Sequence, residues 1–184
     1  MKRVLWTMLA GILVVSGCGG AGEAVESAES APAEEAAQPA PRLTTAVRVT
    51  GAPDQAVLLE HSDPQLAANK QIAYDFFRVI LRGLQLDQAA DFMAEDYIQH
   101  NPNADTGLAG FLAYFEANGN GPQPVPETLP GLVAIQAEGD YVTLSFVREY
   151  PEPGLPDQTY TTTWFDMFRI VDGQIVEHWD SATK

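Results

Sequence analysis

The feature that most constrains this chain is a change of period near residue 131. Before residue 119 the apolar residues recur three and four apart, and after residue 131 they form short runs rich in Val, Ile, Thr and aromatics. Asp63-Pro64 reads as a helix start, because Asp can accept from the orphan backbone donors and Pro lacks an N–H where none is needed. Leu66, Ile72, Ala73, Phe76, Phe77, Ile80 and Leu84 return at helical spacing and Gly83 suits a stop, so one amphipathic helix is predicted over 64–82. Asp87 to Met93 reads as a short second helix. Thr106 reads as the cap of a third, whose Leu108, Phe111, Leu112 and Phe115 run until Gly119. Beyond a proline-rich stretch, Leu132–Ala137, Tyr141–Tyr150, Thr159–Val171 and Gln174–Ser181 read as strands, with Gly139-Asp140 and Asp172-Gly173 as hairpin turns. Three helices followed by consecutive antiparallel strands predict an α+β fold, its helices packed on one face of a curved sheet.

The first residues carry a different signal. Lys2-Arg3, the apolar run Val4 to Val15 and Ser16-Gly17-Cys18 have the positive, hydrophobic and small-residue regions of a secretory signal peptide over 1–17. The run is about 12 residues, where a membrane span needs ~20. Val15-Ser16-Gly17-Cys18 resembles the bacterial lipobox, which implies a diacylated Cys18 as the new N-terminus and a stable membrane anchor. Gly19 after the cysteine carries no inner-membrane retention signal. After Cys18, residues 19–41 are Ala, Glu, Gly, Ser, Pro and Gln with Val25 the only large aliphatic, five Glu and no Lys or Arg, a composition that cannot offset its ordering entropy, so 18–41 reads as the lipidated cysteine and a disordered acidic tether. Residues 42–61 read as a short strand or irregular arm lying on the domain. The expected location is the cell envelope: the periplasmic side of an outer membrane, or the outer face of the cytoplasmic membrane in a single-membrane bacterium.

Charge excludes one class of partner. With 25 Asp and Glu against 10 Lys and Arg, a net −15, and no basic cluster after residue 3, the chain cannot neutralise a phosphate backbone, so nucleic acid is ruled out. At 46% hydrophobic it can still bury a core. A single cysteine forms no intramolecular disulfide and no Cys-based zinc site, and His61, His100 and His178 lie at no recognised ligand spacing, so no metal is expected.

Three stretches carry a resemblance to a family. Tyr97-Ile98-Gln99-His100-Asn101-Pro102, the Glu138-Gly139-Asp140 turn, and Asp166-Met167-Phe168-Arg169-Ile170-Val171-Asp172-Gly173-Gln174-Ile175-Val176-Glu177-His178-Trp179-Asp180 resemble the SnoaL-like branch of the NTF2-like superfamily over residues 62–184. The resemblance implies a cone, in which a strongly bent antiparallel sheet wraps three N-terminal helices around a pocket. It implies chemistry of the polyketide-cyclase type, an intramolecular aldol reaction. Ketosteroid isomerases share the Asp-x-Phe-Arg pattern, and other members bind or scaffold without known reaction. By resemblance Asp180 matches the acid/base aspartate, and Asp166 a second acid/base or oxyanion-stabilising position. His178 and His100 are candidates to tune or shuttle a proton, Asn101 to hold a substrate carbonyl, and Trp164 and Tyr97 to line the ligand site. The family also admits a homodimer through the outer face of the sheet.

Strand alternation puts Trp164, Asp166, Phe168 and Ile170 on one face, and Val176, His178 and Asp180 on one face of the last strand. A two-residue loop at Asp172-Gly173 places Asp166 opposite Trp179. A three-residue loop places it opposite His178 and is preferred, since it gathers Asp166, His178, Asp180 and Trp164 on the concave side and sends Phe165, Met167, Ile175 and Trp179 to the other. Aldol or enol chemistry needs a base for an α-proton and a donor for the enolate oxygen, and two carboxyls in an apolar cone can divide those roles without a cofactor. The same residues have plainer readings: Asp166 bonded to a neighbouring strand, His178 and Asp180 facing solvent, His100-Asn101-Pro102 as a turn. Ser145-Phe146 stands where many relatives carry a histidine, which leaves two functions open. One is a tethered domain binding a small apolar carbonyl compound, with acid/base chemistry by Asp180 and Asp166. The other is a non-enzymatic ligand-binding or protein-interaction module of the envelope.

Overall fold

Asp63 is extended and its Oδ1 accepts from the Gln65 N–H at 2.8 Å, so α2 starts at Pro64 as the cap chemistry requires. The computed structural model describes residues 47–118 and 121–184. The signal peptide, Cys18, the tether and residues 42–46 of the arm lie outside the described residues. Helix α1 (Ala56–Leu59) is a single turn, and α2 (Pro64–Phe76) continues into a π-helical segment, Phe77–Arg82. Such segments are uncommon and tend to sit beside functional sites. The helix stops at Gly83, where an added Cβ would lie 2.7 Å from the Val79 carbonyl oxygen. A 3₁₀ turn (Leu86–Gln88) and α3 (Ala89–Phe92) replace the predicted helix over 87–93, because Met93 already belongs to a strand.

That strand, β1 (Met93–Gln99), was not expected from the sequence. Only Met93 and Tyr97 are buried, four residues apart, and its pairing is irregular between Met93 and Ile98, so no clean alternation marks it. α4 (Gly107–Asn118) follows, then β2 (Leu132–Glu138), β3 (Tyr141–Glu152), β4 (Leu155–Val171) and β5 (Gln174–Asp180). The sheet order is β1-β5-β4-β3-β2. β2 to β5 form antiparallel neighbours as expected, while β1 pairs parallel with β5 at the edge.

The β4–β5 turn decides which side chains face inward. Asp172 and Gly173 both have positive φ, 50° and 82°, so the loop has two residues and Val171 pairs with Gln174. Ile170 pairs with Ile175 but Arg169 with Glu177, so Val176 is bulged out. The bulge moves the register by one, and Asp166 stands opposite Asp180 rather than Trp179 or His178. Asp166, His178 and Asp180 therefore share the concave face. Ile175, before the bulge, also faces in and is fully buried, contrary to the expectation that it packs outside.

The concave face closes on α2 and α4. Phe76 meets Phe168 edge-on at 5.5 Å and Phe77 lies 4.7 Å from Phe146, with Val142, Leu144, Ile170, Leu129 and Leu132 completing the core. Truncating one such phenylalanine costs about 3–5 kcal/mol. The described part of the arm is irregular apart from α1 and is fastened by polar contacts. The Val49 N–H donates to Thr161 Oγ1 at 2.7 Å, the Ala52 N–H to the Leu132 carbonyl at 2.7 Å, and buried Lys70 donates to the Leu58 and Glu60 carbonyls. Among the described residues no helix is long and apolar enough to cross a membrane.

Candidate functional site

At the end of β1 the alternation of the strand sorts a short motif between two faces. Tyr97 and Gln99 turn inward, while Ile98 and His100 turn out. Past the strand Asn101 Oδ1 accepts from the Asn103 N–H at 2.9 Å, a local turn that leaves the Asn101 amide N–H₂ free to donate to Asp180 Oδ2 at 2.7 Å. Asp180 Oδ1 takes the Ala182 N–H at 2.9 Å, so the carboxylate is held from both sides and each oxygen keeps a lone pair. Thr106 does not cap α4 with its side chain. Its hydroxyl accepts from the Gln99 N–H at 3.1 Å and donates to the Tyr97 carbonyl at 2.9 Å, tying the start of α4 to β1.

This geometry encloses a cavity of about 170 Å³. Its wall is apolar, with Phe76, Leu81, Phe111, Tyr114 and Phe115, and its floor polar, with Tyr97, Gln99, Asn101, His178 and Asp180. Leu81 comes from the π-helical segment and the three aromatics of α4 come over the floor through the Thr106 ties.

Behind the floor lies Asp166. Its Oδ1 is 3.2 Å from His178 Nε2 and both side chains are about 10% exposed. His178 also stacks on Phe168 at 4.7 Å, and its Nδ1 lies 3.0 Å from Gln99 Oε1. Both imidazole nitrogens are therefore engaged, and Asp166, cross-strand partner of Asp180 and within 4.8 Å of it, does not itself line the cavity. Of the two carboxyl groups, only Asp180 does. Tyr97 is 2% exposed, and burial, reinforced by the nearby carboxylates of Asp180 and Asp166, pushes its pKa well above the usual 10. It stays a neutral O–H donor.

Two of the expected ligand-site residues, His100 and Trp164, do not line this cavity. His100 stands on the convex face, stacked on Trp179 at 4.8 Å and bonded to Glu177 at 2.8 Å, because a one-residue step along the strand reverses the side-chain direction. Trp164 shares a face with Asp166 but lies outside the cavity wall, with the Arg148 guanidinium 4.8 Å over its ring. Sequence reasoning gave no role to Gln99 or to the α4 aromatics. Phe111 and Phe115, four residues apart, were legible as a helix face, yet nothing in their spacing separates cavity wall from core.

Among the described residues Asp166, His178 and Asp180 form a group able to hold a metal ion, with ligand atoms all within 4.8 Å of one another. Binding a metal there would break the His178–Asp166 contact and compete with the Asn101 hydrogen bond to Asp180.

Comparison with known proteins gives a family. Residues 73–178 match the model of the SnoaL-like domain. No curated protein matches the chain significantly. Among solved structures, TsrD from Streptomyces laurentii is 20% identical, with 66% of this chain and 90% of that one covered and a TM-score of 0.42. A candidate polyketide cyclase from Xanthomonas campestris pv. campestris is 21% identical, with 64% and 92% covered and a TM-score of 0.46. IdmH, a candidate polyketide cyclase from Streptomyces antibioticus, is 22% identical, with 63% and 90% covered and a TM-score of 0.41. Carrying the family's match across residues 73–178, the chain belongs to the SnoaL-like domain family.

Proposed function

We propose that this SnoaL-like domain is held at the cell envelope by lipid on Cys18 and takes a small, largely apolar carbonyl compound into its cavity for acid/base chemistry. The observation that carries the chemistry is the pairing of Asp180 and Tyr97 on the floor of one apolar-walled cavity. Asp180 acts as the base that removes a proton α to the carbonyl, and the Tyr97 O–H donates to the enolate oxygen that forms. Asp166 acts behind them, holding the His178 imidazole in place on the floor. An apolar cavity of ~150 Å³ holds benzene, so about 170 Å³ favours a single ring or short chain over a multi-ring polyketide. Among the described residues no Lys or Arg lines the cavity, which disfavours an anionic substrate. The anchor reading rests on Val15-Ser16-Gly17-Cys18 directly after an apolar run.

The test is α-proton exchange of cyclohexanone in D₂O followed by NMR. Wild-type protein should exchange the ring protons faster than buffer, and Asp180→Asn should lose about 10²–10⁴-fold of that rate. No exchange above buffer by the wild type sinks the acid/base reading. A second reading, a non-enzymatic ligand-binding or protein-interaction module of the envelope, is favoured by one observation: both Asp180 oxygens and both His178 nitrogens already have protein partners. Cyclohexanone that binds equally to wild type and Asp180→Asn without exchange supports it.

A further inference from the structure

We infer that Gln99 is the positioning residue of this site: its amide holds a hydrogen on Nδ1 of His178 and turns the hydroxyl proton of Tyr97 into the cavity. The inference rests on the acid/base reading above for its catalytic consequence, but its geometry stands apart from it. Gln99 Oε1 accepts from the Asn101 backbone N–H at 2.9 Å. A backbone N–H can only donate, so this atom is the amide oxygen and the other end is the N–H₂. His178 Nδ1, 3.0 Å from the same oxygen, must then carry a hydrogen, and the contact of Nε2 with Asp166 Oδ1 needs a second one, on the imidazole or on the carboxyl, since two lone pairs do not bond. At its other end the Gln99 N–H₂ donates to the Tyr97 hydroxyl oxygen at 2.7 Å.

That last bond has a directional effect. A phenol proton prefers the ring plane, and on the Gln99 side that direction is filled by an incoming N–H. Among the described residues no hydrogen-bond acceptor takes the Tyr97 proton, so it points to the cavity that Tyr97 lines. One neutral side chain, inward-facing only because β1 places it two residues from Tyr97, thus sets the polarity of two groups at once.

Gln99→Glu inverts one of these and keeps the other. A carboxylate at 99 still accepts from Asn101 and from His178 Nδ1–H, but it also accepts at the Tyr97 end, so the tyrosine proton turns away from the cavity. With cyclohexanone as probe, Gln99→Glu should lower the α-exchange kcat about 10²-fold or more, the loss expected when one oxyanion donor is withdrawn, with KM changed less than threefold. Tyr97→Phe should lose a similar factor, and adding Gln99→Glu to Tyr97→Phe should cost nothing further. Exchange losses that multiply in the double variant, or a Gln99→Glu protein with the wild-type rate, overturn the inference.

Carbonyl-¹³C cyclohexanone and ¹⁵N-labelled His178 give readouts that need no turnover. The bound carbonyl resonance should move downfield in wild type and return toward its free value in Gln99→Glu and Tyr97→Phe. His178 should show a protonated Nδ1 in wild type and in Gln99→Glu, and lose that fixed form in Gln99→Leu. A His178 that is unprotonated at Nδ1 in the wild type overturns the inference even if exchange is observed. Absent exchange with the tautomer as stated, the acid/base reading fails and the positioning role stands.

Discussion

Two histidine–carboxylate pairs of this domain are built on neighbouring residues of β5, Glu177 and His178, on opposite faces of the sheet. On the convex face His100 Nε2 lies 2.8 Å from Glu177, whose second oxygen takes the Arg169 guanidinium at 2.9 Å, and the His100 side chain is 42% exposed. On the concave face His178 meets Asp166 at 3.2 Å with each side chain 10% exposed. The shorter contact is the weaker contributor to stability. In water the outer pair gains about 0–1 kcal/mol and is screened by salt, whereas losing one partner of a buried pair leaves a polar group with no solvent to replace it. The inner pair has a place the outer lacks, because His178 lines the cavity beside Asp180, its one carboxylate among the described residues.

The largest expected effect tests that contrast. His178→Ala leaves the Asp166 carboxylate buried without its partner and should lower the unfolding free energy by about 3–5 kcal/mol in a urea titration, against less than about 1 kcal/mol for His100→Ala. The double replacement His178→Leu with Asp166→Leu should recover most of the loss, since it removes both polar groups together. If His178→Ala costs no more than His100→Ala, burial is not what separates the two pairs.

An effect of intermediate size appears at high pH. Tyr97 has its pKa raised by burial first, and then by Asp180 and Asp166, so the folded state holds its proton where the unfolded chain, with a tyrosine near 10.0, releases it. The stability tied to this group is complete below pH 10 and is lost as pH rises from there toward the folded value. The urea midpoint should therefore fall above pH 10, and Tyr97→Phe should fall less steeply. Some slope should remain, because burial also raises Tyr74 despite the opposing Arg78 guanidinium. An equally steep fall in Tyr97→Phe would mean that the concave floor is wetter than its exposure indicates.

Much of the frame of these two faces was legible in the residues. Asp63-Pro64 starts α2, Gly83 ends its extension and Asp172-Gly173 makes the last hairpin, each through chemistry local to a few residues. What escaped depended on partners distant in sequence. β1 exists because β5 lies beside it, and the Val176 bulge, which brings Asp180 opposite Asp166, leaves no mark in composition. The site divides the same way. Asp166, His178 and Asp180 were marked by their motif, but adjacent Gln99 and His100 fall on opposite faces, and only the strand's presence tells which is inside. Trp164 shares the face of Asp166 as alternation predicts, yet it does not line the cavity.

The smallest expected effect sharpens the comparison most directly, because Glu177 and His178 are neighbours in one strand. The hydrogen bond from His100, opposed by slight burial and helped by Arg169, holds the Glu177 carboxyl below its ordinary 4.5. A lowered carboxyl contributes stability that is present above 4.5 and disappears as pH falls through the folded value. Glu177→Gln should cost about 0.2–1 kcal/mol near pH 6, less in 0.5 M salt, and nothing once the wild-type carboxyl is protonated. Through all of this the ¹⁵N resonances of His178 should stay where they are in the wild type, since Gln99 and Asp166 hold that ring from the other face. Movement of those resonances on Glu177→Gln would show that β5 transmits charge changes across the sheet, and the outer pair would then belong to the site rather than to the surface.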